Sequence, residues 1–113
     1  MQADEICLAN FPYGGSPGLK LRPVLLLSGP LGDVPEVIVA YTSSVLPKDF
    51  LPADLILDPL NSNHASTNLK GLSVLRLHKV ATIHSRSIAR RLGVLPAALS
   101  FEVDAKLRTL LCL

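Results

Sequence analysis

The chain has 113 residues, of which 49% are hydrophobic, 4% aromatic and 18% charged, and its formal net charge at pH 7 is +2. This length is typical of one domain, here residues 1–113, that buries its core without disulfides or metals, and it excludes a multidomain machine. The longest stretch without a charge, residues 6–19, is interrupted by proline and glycine, which excludes a membrane-spanning run of about 18 apolar residues.

Short aliphatic runs and polar–apolar alternation predict six strands along the chain. The predicted strands cover residues 5–11, 23–28, 37–42, 53–58, 73–80 and 88–95. The glycine- and proline-rich residues 12–18 predict a loop, and residues 59–70 predict a long polar loop. Residues 82–87 predict a turn or a single helical turn.

The C-terminal segment has the periodicity of an amphipathic helix. After Pro96, apolar residues recur at spacings of four, four and three, at positions Leu99, Val103, Leu107 and Leu110. Many short strands followed by one terminal helix predict a mainly β fold, a small and strongly bent barrel with a C-terminal helix.

Basic residues are concentrated in the second half of the chain. No Asp or Glu occurs between Pro59 and Phe101, whereas Lys70, Arg76, Lys79, Arg86, Arg90 and Arg91 all lie there. One side of the molecule is therefore expected to be positive. It is either an ordinary solvated basic face or a surface that attracts the phosphates of nucleic acid.

Four side chains are candidates for chemistry. Arg22 lies between the glycine-rich loop and a buried strand, and Thr42 ends the third strand. The two-residue period of the fifth strand places Arg76 and His78 on one face, with Leu75 and Leu77 on the other. A neighbouring Arg lowers the pKa of a His, which makes a neutral base available near pH 7. Each candidate also has a structural interpretation, as a surface Arg, a backbone-bonding hydroxyl or a hydrogen-bonded His.

The remaining composition points to a cytoplasmic protein that meets other proteins. No basic segment followed by an apolar one stands at the N-terminus, so no secretion signal is expected. Cys7 and Cys112 lack metal-ligand spacing and are expected to be two buried thiols, with no metal site. The surplus of apolar residues predicts an interface with a second copy of the chain.

The order of the motifs resembles the PemK/MazF family of type II toxins over nearly the whole chain. The matching features, in chain order, are Phe11-Pro12, a glycine-rich loop, residues 21–28 beginning Leu21-Arg22-Pro23, the strand end Tyr41-Thr42-Ser43, residues 71–77 with Arg76, the turn Ala81-Thr82-Ile83, residues 92–95 and the terminal helix.

This resemblance implies a small SH3-like β-barrel of the CcdB/Kid/MazF type with a C-terminal helix. It implies a homodimer that acts as a metal-independent, sequence-selective endoribonuclease on single-stranded RNA and is held inactive by a cognate antitoxin. It further implies no cofactor, no membrane association, and contact with DNA only indirectly, through the antitoxin complex. The family's catalytic Arg and Thr correspond to Arg22 and Thr42. A further Arg corresponds to Arg76, but the Asp found two residues later in plasmid-borne members is His78 here.

Physical chemistry is consistent with these roles. Cleavage of RNA by its own 2′-hydroxyl needs a base, a cation for the charge that develops on phosphorus, and an acid for the leaving oxygen. Few aromatic residues predict recognition through phosphates and loop atoms rather than stacking. The predicted RNA contacts are Ser16, Lys20, Ser43, Lys70 and Lys79.

Two other functions remain open at this stage. The chain is either a catalytically weakened or inactive family member, or a barrel that acts by binding a protein, as the related gyrase-poisoning toxins do. The departure at His78 and the modest net charge motivate both alternatives. A ribosomal-type RNA-binding barrel is disfavoured because the chain lacks a strong basic excess.

Overall fold

The computed structural model describes residues 1–11 and 20–113, so the predicted loop at residues 12–18 lies outside the described part. All six predicted strands and the terminal helix are present. They are β1 (Glu5–Asn10), β2 (Leu21–Leu26), β3 (Glu36–Ser43), β4 (Asp54–Leu57), β5 (Ser73–His84), β6 (Ile88–Val94) and α1 (Ala97–Leu110), with 3-10 turns at Ser62–Thr67 and Ser85–Ser87. The prediction of a mainly β fold with a C-terminal helix is confirmed.

The strands form one antiparallel sheet in the order β4-β5-β3-β2-β1-β6. This sheet is bent but not closed by strand pairing, because β4 and β6 remain its edges. The 3-10 turn Ser62–Thr67 covers the β6 edge instead. The Ser66 hydroxyl donates to the Val94 carbonyl at 2.9 Å, and the Asn68 amide donates to the Leu92 carbonyl at 2.8 Å. The segment predicted as a polar loop therefore replaces the missing strand contact.

A bulge in β5 explains why this strand is longer than predicted. Ala40 pairs with Val80, while the next residue of β3, Tyr41, pairs with Arg76. Residues 77–79 are therefore extra residues of β5 between two consecutive pairs. Extra residues of this kind bend the bulged strand. Beyond the bend β5 pairs with the first half of β3 and runs to His84. The prediction of a turn over residues 82–87 is wrong for 82–84 for this reason, and the turn is confined to Ser85–Ser87.

The two faces of the sheet bury two aliphatic cores. One core lies between the sheet and α1 and includes Leu25, Leu75, Leu77, Leu99 and Val103. The other covers the opposite face and is composed of Cys7, Ala9, Val24, Leu26, Val37, Val39 and Ile83. Burial of Leu75 and Leu77 confirms their predicted place in the core beside α1. The predicted alternation does not extend to His78, because this residue lies in the bulge and borders, with Leu77, a groove beside α1.

The helix is fixed to the sheet at its first turns. The Ser100 hydroxyl donates to the Asp4 carboxylate at 2.7 Å, and Leu99 and Val103 are buried. Because α1 ends at Leu110, Cys112 is exposed, and the prediction of a buried thiol is wrong for this residue. Cys7 is buried, which raises the pKa of its thiol. In the part of the chain that the structure describes, no helix is long and apolar enough to cross a membrane.

Gly93 provides a test of how the 3-10 turn covers the β6 edge. A Cβ at Gly93 would lie 2.6 Å from the Thr67 carbonyl oxygen, and closer still to that of Ser66. We expect Gly93→Ala to lower the free energy of unfolding by about 1–3 kcal/mol, as overpacking does. Gly71→Ala is the control, because a Cβ there meets nothing within 4 Å. Urea unfolding measures both, and equal midpoints for the two variants would show that the turn does not pack on Gly93.

Candidate functional site

A cavity of about 630 Å³ opens where the 3-10 turn meets the ends of the central strands. Three cationic side chains line it, Arg22, Lys70 and Arg90. Hydroxyl groups line it as well, from Thr42, Ser44 and Ser73. Its apolar lining includes Leu8, Leu21, Leu69 and Leu92. The cavity therefore combines positive charge, hydroxyl groups and apolar side chains, and its volume lies in the range of small-molecule sites in proteins.

Strand order brings distant parts of the sequence to this cavity. Arg90 of β6 pairs with Leu8 of β1, and Leu8 pairs with Pro23 of β2. Pairing of β2 with β3 begins only at Val24. Pro23, which has no backbone N–H, precedes this pairing, so no hydrogen bond to β3 is lost there. Arg22 thus lies where β2 and β3 diverge and the cavity opens.

The segment after the 3-10 turn forms another wall. Asn68 ends the turn in the left-handed conformation, with φ of 53°, and its backbone N–H donates to the Ala65 carbonyl. Its side-chain amide is held by the Leu92 carbonyl of β6. These contacts fix the start of the following segment, whose residues Leu69, Lys70 and Gly71 line the cavity.

The electrostatics of the cavity are one-sided. None of the described residues that line it is acidic. Within residues 1–11 and 20–113, moreover, no carboxylate lies at ion-pair distance from Arg22, Lys70 or Arg90. Three arginines elsewhere are paired, Arg76 with Asp54, Arg91 with Glu5 and Arg108 with Asp104. Unpaired guanidinium groups beside hydroxyls are suited to bind an oxyanion such as a phosphate.

Arg76 and His78 form a separate cluster with Asp54. The Arg76 guanidinium donates to both carboxylate oxygens of Asp54, at 3.0 and 3.2 Å, and the Asp54 side chain is fully buried. The Nδ1 atom of His78 is 4.0 Å from the same carboxylate. Arg76 pairs with Tyr41, whereas Thr42 is the next residue of β3 and faces the other side of the sheet.

The two titratable members of this cluster have shifted pKa values. Burial lowers the pKa of His78, and the positive charge of Arg76 lowers it further, against the opposing effect of Asp54. Burial would raise the pKa of Asp54, but the hydrogen bond from Arg76 and that from the Leu51 amide together bring it below its ordinary value. His78 is consequently neutral and Asp54 ionised at neutral pH.

The structure divides the residues predicted to act on RNA. Arg22, Thr42 and Lys70 line the cavity, whereas Arg76 and His78 do not. His78 borders a separate apolar groove next to α1.

Ser43, Lys79 and Lys20 are not among the described residues that line the cavity. The Ser43 hydroxyl is bonded to the backbone of Val45, and the Lys79 ammonium lies 5.9 Å from the centre of the Tyr41 ring. Lys20 is exposed, next to the undescribed segment, and Ser16 lies within that segment.

Residues that the sequence did not single out complete both clusters. Ser44, Asn68, Ser73 and Arg90 line the cavity, and Asp54 pairs with Arg76. Asp54 stands between apolar residues in a predicted strand, a position at which a carboxylate needs a cationic partner. The apolar neighbours of Asp54 in the sequence thus predict a cationic partner for its carboxylate, but they do not predict which residue it is. Arg90 belongs to the acid-free stretch, but its place depends on which strand lies beside β6.

Comparison with known proteins gives a consistent family. The model of the PemK-like, MazF-like toxins of type II toxin-antitoxin systems matches residues 2–111. No curated protein sequence matches the chain.

Solved structures share the fold. Toxin MazF-mt6 of Mycobacterium tuberculosis is 22% identical, with a TM-score of 0.71 over 96% of this chain and 97% of that one. An endoribonuclease in complex with its cognate antitoxin, from a mycobacterial species, is 16% identical, with a TM-score of 0.70 over 100% and 96%. A mycobacterial endoribonuclease is 14% identical, with a TM-score of 0.70 over 100% and 92%.

The ion pair of Asp54 with Arg76 yields a stability prediction. Asp54→Asn leaves the guanidinium without its buried carboxylate and should lower the free energy of unfolding at pH 7 by about 3 kcal/mol. Asp104→Asn, which removes an exposed partner of Arg108, should change it by less than about 0.5 kcal/mol.

The pH dependence has a definite sign. Because folding lowers the pKa of Asp54 below 3.8, its stabilising effect is present above that pH and is lost as the pH falls further. Urea unfolding from pH 7 to pH 3 should show the difference between wild type and Asp54→Asn shrink in the acid range. A difference that stays constant to pH 3 would rule out this ion pair as its cause.

Proposed function

The chain belongs to the family of PemK-like, MazF-like toxins of type II toxin-antitoxin systems, and from this premise we propose that it is an endoribonuclease that cleaves single-stranded RNA. The observation that carries the proposal is the cavity lined by Arg22, Thr42, Lys70 and Arg90, where cations without carboxylate partners stand beside hydroxyl groups. A phosphodiester backbone supplies the anions that such a cavity attracts.

In the proposed reaction, the 2′-hydroxyl of one nucleotide attacks the adjacent phosphorus. A bond forms between that oxygen and phosphorus, and the bond from phosphorus to the 5′-oxygen breaks. The proton of the 2′-hydroxyl passes to the base and a proton from water passes to the leaving 5′-oxygen, so the products are a cyclic phosphate and a 5′-hydroxyl. The guanidinium of Arg22 stabilises the charge that develops on the phosphate oxygens. Thr42 donates its hydroxyl to a phosphate oxygen and places the reacting ribose. No metal ion is required for these steps, and we propose a metal-independent enzyme.

We propose His78 as the catalytic base and Arg76 as a positioning residue that acts through it. A base must be unprotonated to accept the 2′-hydroxyl proton, and burial together with the nearby Arg76 lowers the pKa of His78 and so holds it in that state. Asp54 holds Arg76 in this place. The role of His78 rests on the resemblance and on its protonation state, because His78 does not line the cavity.

The proposed partners are RNA, a cognate antitoxin and a second copy of the chain, with DNA contacted only through the antitoxin complex. The structurally similar mycobacterial endoribonuclease is bound to its antitoxin. An apolar groove of about 510 Å³, lined by Leu27, Ile38, Leu107 and Leu110 among others, supports association with another protein surface. We further propose that cleavage is sequence-selective, through hydrogen bonds from the loops, and takes place in the cytoplasm.

One observation favours a second function, that of a barrel that acts by binding a protein without cleaving RNA. The guanidinium of Arg76 is occupied by Asp54, and His78 lies apart from Arg22 and Thr42. Purified protein incubated with single-stranded RNA in the presence of EDTA separates the two functions. Fragments support the ribonuclease, and intact RNA supports the protein-binding alternative.

Substitutions in the cavity test the catalytic assignment. Arg22→Ala should reduce the cleavage rate about a hundredfold or more, because loss of one transition-state donor has that effect. Thr42→Ala should also reduce the rate, since its hydroxyl is a second donor. Arg108→Ala removes an exposed arginine of α1 that is paired with Asp104, and it is the matched control. Full-rate cleavage by the Arg22→Ala, Thr42→Ala double variant would remove both residues from the mechanism.

The pH profile tests His78 as the base. A neutral imidazole should give a rate that rises with pH through a value below 6.5, since burial and Arg76 lower the pKa of His78. His78→Ala should lose this rise together with most of the rate. Single-turnover cleavage between pH 5 and pH 8 measures it. An unchanged profile in His78→Ala would exclude His78 as the base.

A further inference from the structure

Two adjacent arginines of β6 have different environments. Arg91 lies with its Nε atom 2.6 Å from a carboxylate oxygen of Glu5. Arg90 is exposed, lines the cavity, and has no carboxylate at ion-pair distance in the part of the chain that the structure describes. Because neighbours in a strand point to opposite faces, one arginine serves the fold and the other faces the cavity. Within the described residues, therefore, no ion pair of the fold accounts for the positive charge of Arg90 at the cavity.

The position of Arg90 separates it from Arg22. Arg90 pairs with Leu8, and Leu8 pairs with Pro23, the residue after Arg22. Neighbouring strands lie about 4.8 Å apart, so two strand spacings, or roughly 10 Å of backbone, separate Arg90 from the Arg22 side of the cavity. Leu8 lies between them and gives the cavity an apolar floor. Two cations on strands that flank β1, with the apolar Leu8 of β1 also in the cavity lining, suit two phosphates of one strand, with a ribose and base lying across Leu8.

Arg76 does not supply the second cation of the cavity. Its guanidinium is engaged by both oxygens of Asp54, and it lies on the face opposite Thr42. Lys70 lies on the loop wall of the cavity and can approach the same polyanion, but as a point charge without the planar geometry of a guanidinium. Arg90 is then the second guanidinium available to an RNA backbone in this cavity.

We propose that Arg90 forms a second phosphate subsite, which binds the phosphodiester adjacent to the one that Arg22 and Thr42 contact. This inference rests on the proposed ribonuclease function for the identity of its ligand. Arg90 acts in binding rather than in bond cleavage, because it contacts a phosphate that does not react. Its removal should therefore raise KM and leave kcat nearly unchanged, whereas removal of Arg22 lowers kcat.

The binding test uses a mixed-sequence RNA oligonucleotide with 2′-O-methyl groups, which lacks the attacking hydroxyl and cannot be cleaved. Arg90→Ala should weaken binding about tenfold or more at low salt, as loss of a charge-assisted hydrogen bond does. The slope of log K against log salt concentration should decrease in magnitude by about 0.7, the value for one phosphate contact on a single strand. Arg91→Ala is the matched control and should retain the wild-type slope. Arg90→Lys should also retain the slope, because it keeps the charge.

Cleavage kinetics on single-stranded RNA are the second test of the Arg90 subsite. With Arg90→Ala, a raised KM and a kcat within about twofold of wild type support the subsite. Identical salt slopes for Arg90→Ala and Arg91→Ala would overturn it, as would a reduced kcat at unchanged KM. Loss of binding to an acidic peptide with RNA binding unaffected would overturn it in favour of a protein ligand. If the wild type leaves RNA intact, the ribonuclease proposal fails, and the salt slopes of the two Ala variants alone decide the subsite.

Discussion

The carboxylate of Asp54 is fully buried, and an ionised group in that position requires a cation beside it. Arg76 supplies this cation and donates two hydrogen bonds to the carboxylate. His78 lies beside this ion pair, with its Nδ1 atom 4.0 Å from the Asp54 carboxylate. The ion pair joins the edge strand β4 to β5 just before the bulge. Arg76 therefore has a structural role, since its guanidinium is held by Asp54. We therefore expect an external anion to bind at the cavity, where the described cations have no carboxylate at ion-pair distance.

The cavity depends on how the open sheet is completed. The 3-10 turn Ser62–Thr67 lies against the backbone of β6, and only glycine at position 93 allows this approach. Hydrogen bonds from Ser66 and Asn68 to β6 carbonyls then fix the turn at the sheet edge. Because Lys70 follows directly, packing at Gly93 determines where one cavity wall stands. The close backbone contact at Gly93 and the place of the Lys70 charge at the cavity are therefore linked through the 3-10 turn.

The sequence predicts the strands well because each is a local pattern, and the order of short motifs is enough to indicate the family. The length of β5 was not predictable, since its last residues are ordered by pairing with β3 beyond a bulge that leaves no local signal. The site was predicted in part. Arg22 and Thr42 meet because β2 and β3 are neighbours in both sequence and space. Arg90 joins them only because β6 pairs with β1, a contact between distant segments that residue patterns do not specify.

The alternation of β3 separates two kinds of charged site on one small sheet. Tyr41 pairs with Arg76 and Thr42 with Leu75, so adjacent residues open onto opposite faces. On the Tyr41 face, Arg76 is neutralised by Asp54. The cavity lies at the Thr42 end of β3, and its described lining carries Arg22, Lys70 and Arg90 but no acid. We therefore expect an RNA strand to bind at the cavity and to gain little from Arg76, because a guanidinium paired with a carboxylate presents almost no net charge to a ligand. The pairing register of β3 thus separates the buried ion pair from the residues that we propose to bind phosphate.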